Sequence, residues 1–181
     1  LWIASEFGTK ETKWLVRAWV GLKEAPGAEK WSEAERICFM RNNIVELYET
    51  PNCPLLKTLM LQNNAGLKKL CDGFFQFMPS LRVLDLSHTS ITELPSGISA
   101  LVQLQYLDLY HTDIKSLPRE LGSLVTLRFL LLSHMPLVMI PGGVIDSLKM
   151  LQVLYMDFSY GDWKVGESGN GVDFQELESL R

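Results

Sequence analysis

The stretch LQYLDLYHTDIKSLP, residues 104–118, occurs in closely related form on either side of itself. Residues 81–95 read LRVLDLSHTSITELP and residues 127–141 read LRFLLLSHMPLVMIP, so each copy begins 23 residues after the previous one. In all three copies apolar residues occupy offsets 0, 3, 5, 10 and 13, and a proline follows at once. Such fixed offsets over consecutive copies indicate an internal repeat.

The repeat predicts a solenoid. Leucines at offsets 3 and 5 are typical of a short strand whose leucines face inward, and the residues after the proline are typical of a short helical or 3₁₀ return. One copy cannot bury its own leucines, so copies must stack. We therefore expect a leucine-rich repeat fold, an α/β horseshoe with a concave parallel β-sheet and short helical or 3₁₀ convex segments.

Less regular copies flank the three regular ones. About six repeats can be counted over residues 34–181, with a seventh beginning at Leu180. The glycine-rich excess of the sixth copy, residues 160–171, is expected to form a mobile loop. Residues 1–33 lack the pattern and are expected to be an N-terminal cap containing a strand within residues 10–26. The tryptophans of the cap are expected to cover the first repeat: Trp2, Trp14, Trp19 and Trp31.

Offset 8 carries different residues along the chain. Asn42 and Asn64 have the asparagine usual at this position, whose amide is expected to bond to the backbone of the next turn. Thr89 and Thr112 can supply part of that bonding, and Met135 none. We expect a less regular and weaker stack around Met135.

All three histidines of the chain, His88, His111 and His134, lie at offset 7. Stacked in register, their α-carbons are expected to lie about 5 Å apart, close enough for ring contact. A zinc site needs tetrahedral convergence, whereas stacked side chains point the same way. The spacing therefore favours a by-product of the repeat over a metal site or a pH-sensitive role.

The composition excludes several classes of protein. With 181 residues and a formal charge of −4, the chain lacks the basic character of nucleic-acid or anionic-membrane binders. Its longest apolar runs are far shorter than the ~20 residues of a membrane span. Cys38, Cys53 and Cys71 show no paired spacing, and no N-glycosylation acceptor occurs. We expect reduced thiols and an intracellular protein.

Residues between the inward leucines are expected to line the concave face, where solenoids bind partners. These positions carry aromatic, apolar and acidic side chains from residue 83 onward, and Asp85 beside Asp108 would attract a basic partner. Intermolecular binding and cover by a neighbouring domain are equally compatible with this pattern. The candidate partner-binding residues are Val83, Asp85, Tyr106, Asp108, Tyr110, Phe129, Leu131, Val153, Tyr155 and Asp157.

No catalytic constellation emerges from the sequence. Ser, His and Asp cluster only at repeated positions, and GESGNG, residues 166–171, lacks the GK[ST] that a phosphate-binding loop requires. We expect no enzyme activity, no metal and no cofactor in this chain.

The segments around the repeats resemble a known family, the plant intracellular immune receptors of the coiled-coil, nucleotide-binding, leucine-rich-repeat type. The resemblance covers essentially the whole chain. It lies in WLVRAWVGLKEAP, KWSEAERICFMRNNIVEL, CPLLKTLMLQNN, DGFFQFMPSLRVLDLS and ELPSGISALVQLQYLDL. Turns such as ITELP, residues 91–95, also differ from the L-x-G-x-I-P turn typical of secreted plant repeat proteins.

The resemblance implies a fragment of a larger receptor whose nucleotide-binding module, the site of any ATP or ADP, would precede Leu1. It further implies that early repeats restrain that module and that later repeats recognise a pathogen effector or a guarded host protein. The alternative is a general leucine-rich scaffold for intracellular signalling. An enzymatic relative, such as a repeat-fused ligase, would need an appended catalytic domain.

Overall fold

The computed structural model describes residues 13–159 of the chain. Its strands are β1 (Trp14–Val16), β2 (Arg36–Cys38), β3 (Glu46–Leu47), β4 (Thr58–Met60), β5 (Lys69–Leu70), β6 (Val83–Asp85), β7 (Tyr106–Asp108), β8 (Phe129–Leu131) and β9 (Val153–Tyr155). The helix α1 spans Val144–Ser147, and 3₁₀ helices span Ala28–Lys30, Ser96–Ala100 and Arg119–Ser123. The predicted loop at residues 160–171, the seventh repeat and Trp2 lie outside the described residues.

The strands form the predicted stack. Seven of them make one parallel sheet in the order β1-β2-β4-β6-β7-β8-β9, and β3 pairs with β5 in a second, two-stranded parallel sheet. Leu107 pairs with Leu84 on one side and Leu130 on the other, and all three side chains are fully buried. The leucine-rich repeat solenoid and its register are thereby confirmed.

The convex side is formed by short helical segments that come shortly after the repeated prolines in the sequence. A 3₁₀ helix starts directly after Pro95 and another directly after Pro118, while α1 starts after Gly143 in the next repeat. Each of these segments buries an apolar residue at the offset that the repeat assigns to it: Ile98, Leu121 and Val144. None of the helical segments within residues 13–159 has the length and apolar character needed to cross a bilayer.

The lead-in segment contributes a strand of the main sheet. β1 pairs in parallel with β2, so residues 14–33 form one more turn of the solenoid, here called a coil, at the end of the stack. Among the cap tryptophans within residues 13–159, Trp31 alone covers apolar core as expected, making edge-to-face contacts with Phe39 and Phe74. Trp14 is half exposed and Trp19 more so, and their rings lie under the guanidinium groups of arginines instead. The expectation that they cover the first repeat was wrong.

Both offset-8 asparagines bond to the preceding coil rather than to the next one. Asn64 Oδ1 accepts from the Ile44 N–H at 3.2 Å, and Asn64 Nδ2 donates to the Phe39 carbonyl at 3.0 Å and the Leu61 carbonyl at 2.7 Å. Asn42 reaches the carbonyl of Arg17 in the lead-in coil in the same way. The hydroxyls of the threonines at this offset bond only within their own coil, to a carbonyl three residues earlier.

The coil that contains Met135 is bonded to the next coil through Ser159, the residue at offset 8 of the repeat that begins at Leu151. This buried hydroxyl from the next coil donates to the Leu132 carbonyl and accepts from the Met135 N–H at 3.3 Å. Ser159 therefore links the Met135 coil to the coil after it, and the weaker stack expected around Met135 stays a prediction.

Replacing Ser159 by alanine is expected to lower the free energy of unfolding by about 1–3 kcal/mol, because it leaves a buried carbonyl and N–H without their partner. Urea unfolding checks the value. Ser123→Ala, at an exposed serine, is the matched control and should be nearly neutral. An equal effect of the two substitutions would show that the Ser159 bonds contribute nothing to the stack.

Candidate protein-interaction face

The concave face carries the candidate residues because alternate positions of β6 to β9 point away from the leucine core. Tyr110 follows β7 and Asp157 follows β9, at the same end of the sheet. Exposure increases toward the end of the described chain, and Tyr155 is 54% exposed whereas Asp108 is only 9% exposed. The half-buried candidates are Val83, Asp85, Tyr106, Tyr110, Phe129, Leu131 and Val153.

Tyr106 and Phe129 form the aromatic centre of the face. They are register partners on β7 and β8, and their ring centroids lie 6.2 Å apart with the ring planes tilted by 42°. With their neighbours they line a shallow depression of about 370 Å³. Its other lining residues are Met60, Val83, Asp85 and Gln105.

Two carboxylates lie side by side on this face, since Asp85 and Asp108 are register partners. Asp108 is held by its own strand: its Oδ2 accepts from the Tyr106 hydroxyl at 3.1 Å and its Oδ1 from the Tyr110 N–H at 2.8 Å. Asp85 Oδ1 accepts from the Ser87 N–H at 3.0 Å and from the Ser87 hydroxyl at 2.7 Å. Asp85 Oδ2 has no such bond within residues 13–159.

The environment raises the pKa of two groups on this face, Asp85 and Tyr106. Burial is the main cause that raises the pKa of Asp85, the Ser87 bonds oppose it, and the neighbouring charge of Asp108 adds to it. Burial, followed by Asp108, raises the pKa of the Tyr106 phenol. Tyr106 therefore stays a hydrogen-bond donor to Asp108 at neutral pH.

Tyr110 belongs to a different cluster from Tyr106 and Phe129. Its ring lies 5.0 Å from His88 and 5.2 Å from His134, in edge-to-face geometry. His88 and His111 stack on each other at 5.0 Å, as the register predicts, and Phe158 continues the row beside His134. Each of the three histidines has a positive φ of 53–57°, a conformation that non-glycine residues adopt rarely.

These rings form a surface row rather than a ligand shell. Burial is the main cause that lowers the pKa of His88, and the stacked His111 adds to it. No three His, Cys, Asp or Glu side chains in the described part of the chain are placed to hold a metal ion. Cys53 is fully buried, and that burial raises its pKa to about 12, so the thiol stays protonated at neutral pH.

Two residues of the depression were not among the sequence candidates. Met60 lies at a concave offset in β4, one repeat earlier than the candidates begin, and Gln105 lies immediately before β7. Concave offsets identify Met60 once the earlier repeats are included. Gln105 sits at no concave strand offset, so the strand pattern does not identify it.

A family profile described as a leucine-rich repeat region matches residues 36–181. Among curated proteins, the chain is 45% identical over 106 residues to the Arabidopsis thaliana disease resistance protein RFL1 and 43% identical to RPS5 of the same plant. Each match covers 58% of this chain and 12% of the relative, so the matched region is a small part of those proteins.

Solved structures share the fold. The leucine-rich repeat domain of the type III effector XopL aligns with a TM-score of 0.68 at 28% identity, covering 81% of this chain and 51% of that one. The plant peptide hormone receptor RGFR1, solved in complex with RGF2, aligns with a TM-score of 0.57 at 22% identity over 69% of this chain and 20% of its own. The latter likeness concerns the fold alone.

Proposed function

Since the chain belongs to the leucine-rich repeat family, and its repeats match those of plant disease resistance proteins, we propose that it is the non-enzymatic protein-interaction module of a plant immune receptor. In this proposal the concave face recognises a pathogen effector or a guarded host protein, or holds the receptor's own nucleotide-binding module inactive. The receptor acts in the cytoplasm. Its ATP or ADP belongs to the nucleotide-binding module, and this chain needs no cofactor.

The aromatic pair at the centre of the concave face carries the proposal. Tyr106 and Phe129 hold their rings half-buried on adjacent strands, and Val83 and Leu131 extend the apolar area around them. Aromatic side chains at the centre of a partly desolvated surface are the residues that most often dominate binding energy. The repeat does not require them there, because the leucine core is complete without them.

Replacing Tyr106 and Phe129 together by alanine in the full-length receptor is expected to weaken partner binding by at least ~2 kcal/mol, roughly 30-fold. The cell-death response in leaf tissue measures the consequence. Loss of an effector contact abolishes the response to the pathogen, whereas loss of an inhibitory contact produces cell death without one.

Both rings are half-buried, so the experiment needs a folding control. Thermal unfolding of the double variant measures any loss of stability, and Tyr155→Ala tests the same face at a more exposed residue. The matched control is Tyr48→Ala with Phe77→Ala, the same residue types at exposed positions outside the concave strands. A well-folded double variant that causes no cell death without the pathogen, and normal cell death with it, would contradict the proposal.

A further inference from the structure

We propose that the depression lined by Asp85, Tyr106 and Phe129 receives a basic side chain, arginine or lysine, of the receptor's protein partner. This inference rests on the proposed function, which it deepens by naming the chemistry of the contact.

The depression carries an uncompensated negative charge. The ion pairs found within residues 13–159 are Lys13–Glu33 and Lys57–Glu35, so neither Asp85 nor Asp108 has a cationic partner there. Asp108 has both carboxylate oxygens engaged by hydrogen bonds, whereas Asp85 has one oxygen left to accept. A cation placed at Asp85 would relieve the repulsion between the two carboxylates.

The remaining walls suit the stem of a basic residue. Met60 and Val83 are apolar, and the faces of Tyr106 and Phe129 attract a cation through their negative ring potential. Lysine and arginine combine a cationic head with an apolar stem. The carboxylate of Asp85 complements the head, and the apolar lining complements the stem. A neutral aromatic residue would fill the space but leave the Asp85 charge partly desolvated without a partner, which is unfavourable.

Peptide selection on the full-length receptor tests the proposal. A library of random 12-residue peptides displayed on phage is selected against the purified receptor, and only peptides whose binding is lost on the Tyr106→Ala, Phe129→Ala variant are kept. We expect these peptides to share an arginine or lysine. Replacing that residue by an uncharged isostere, citrulline for arginine or norleucine for lysine, should weaken binding at least about 10-fold.

Asp85→Asn gives the matching change on the receptor, because asparagine keeps the oxygen that accepts from Ser87 while removing the charge. We expect it to weaken the basic peptide about as much as the isostere does, with no further loss when both changes are combined. Asp146→Asn, at an exposed aspartate of α1 on the convex side, is the control and should leave binding unchanged.

The possible outcomes separate this inference from the proposed function. The inference would be overturned by peptides that need Tyr106 and Phe129 but carry no basic residue. It would also be overturned if Asp85→Asn and the isostere caused independent, additive losses of binding. Neither result would contradict the proposal that the concave face binds a partner. A selection in which no peptide depends on Tyr106 and Phe129 would count against both.

Discussion

Replacing Leu107 by alanine is expected to lower the free energy of unfolding by about 2–5 kcal/mol. Leu107 is fully buried at the centre of the stack, between Leu84 and Leu130. The substitution removes apolar contacts within the Leu107 coil and with both neighbouring coils. The surrounding side chains relax only in part, so a cavity remains. Urea unfolding followed by circular dichroism measures the change.

Two further leucines serve as controls for this prediction. Leu55→Ala makes the same substitution at a side chain that is 54% exposed and should cost little. Leu154 occupies the Leu107 position in β9 but is only partly buried, so Leu154→Ala should give an intermediate loss. A midpoint for Leu107→Ala equal to that of Leu55→Ala would contradict the register of the sheet.

The leucine spacing was sufficient to predict the core and its register. Once residues 84, 107 and 130 recur at one offset of a strand with inward leucines, only one alignment of the strands buries all of them. The same offsets place Asp85 beside Asp108 and Tyr106 beside Phe129, since register partners share a face. This part of the candidate site follows from periodicity alone.

The contacts that periodicity could not predict depend on side-chain direction and on backbone conformation outside the strands. Tyr110 lies two residues beyond Asp108, yet its ring turns to the histidines because the chain leaves the strand there and His111 adopts a positive φ. By contrast, Ser159 lies at offset 8 of the repeat that begins at Leu151, so its bond to the Leu132 carbonyl is the counterpart of the Asn64 bond to Phe39 and follows from the repeat. The strand expected within residues 10–26 is present as β1, but the spacing did not predict a full coil there, because Leu15 lies at offset 3 while Arg17 stands at the inward offset 5.

The direction of the asparagine bonds has a consequence for how the coils depend on one another. Asn64 joins its own coil to the one before it through two backbone groups, the Ile44 N–H and the Phe39 carbonyl, whereas the Thr112 hydroxyl bonds only to Leu109 of the same coil. At offset 8, side-chain bonding between coils therefore occurs at Asn42, Asn64 and Ser159 within residues 13–159. In the repeats between them, the Thr126 hydroxyl donates to the Val102 and Leu104 carbonyls of the preceding coil. The repeats that carry the aromatic face are held mainly by their leucines and by backbone bonds between strands.

Replacing Asn64 by alanine is therefore expected to lower the free energy of unfolding by about 3 kcal/mol, because the Ile44 N–H and the Phe39 and Leu61 carbonyls lose a buried partner together. Urea unfolding with an unchanged slope measures it. Asn43→Ala, at an exposed asparagine of the preceding coil, is the matched control and should be nearly neutral.

Asn64→Thr distinguishes the bonds between coils from the bond within one. Threonine at this offset retains the bond to the carbonyl three residues earlier, as Thr89 does with Leu86 at 2.7 Å, but it does not reach the preceding coil. If the links to Ile44 and Phe39 carry most of the effect, Asn64→Thr should lose more than half of what Asn64→Ala loses. A threonine variant as stable as the original chain would mean that the bond within the coil is sufficient, and that the links to the preceding coil add no stability.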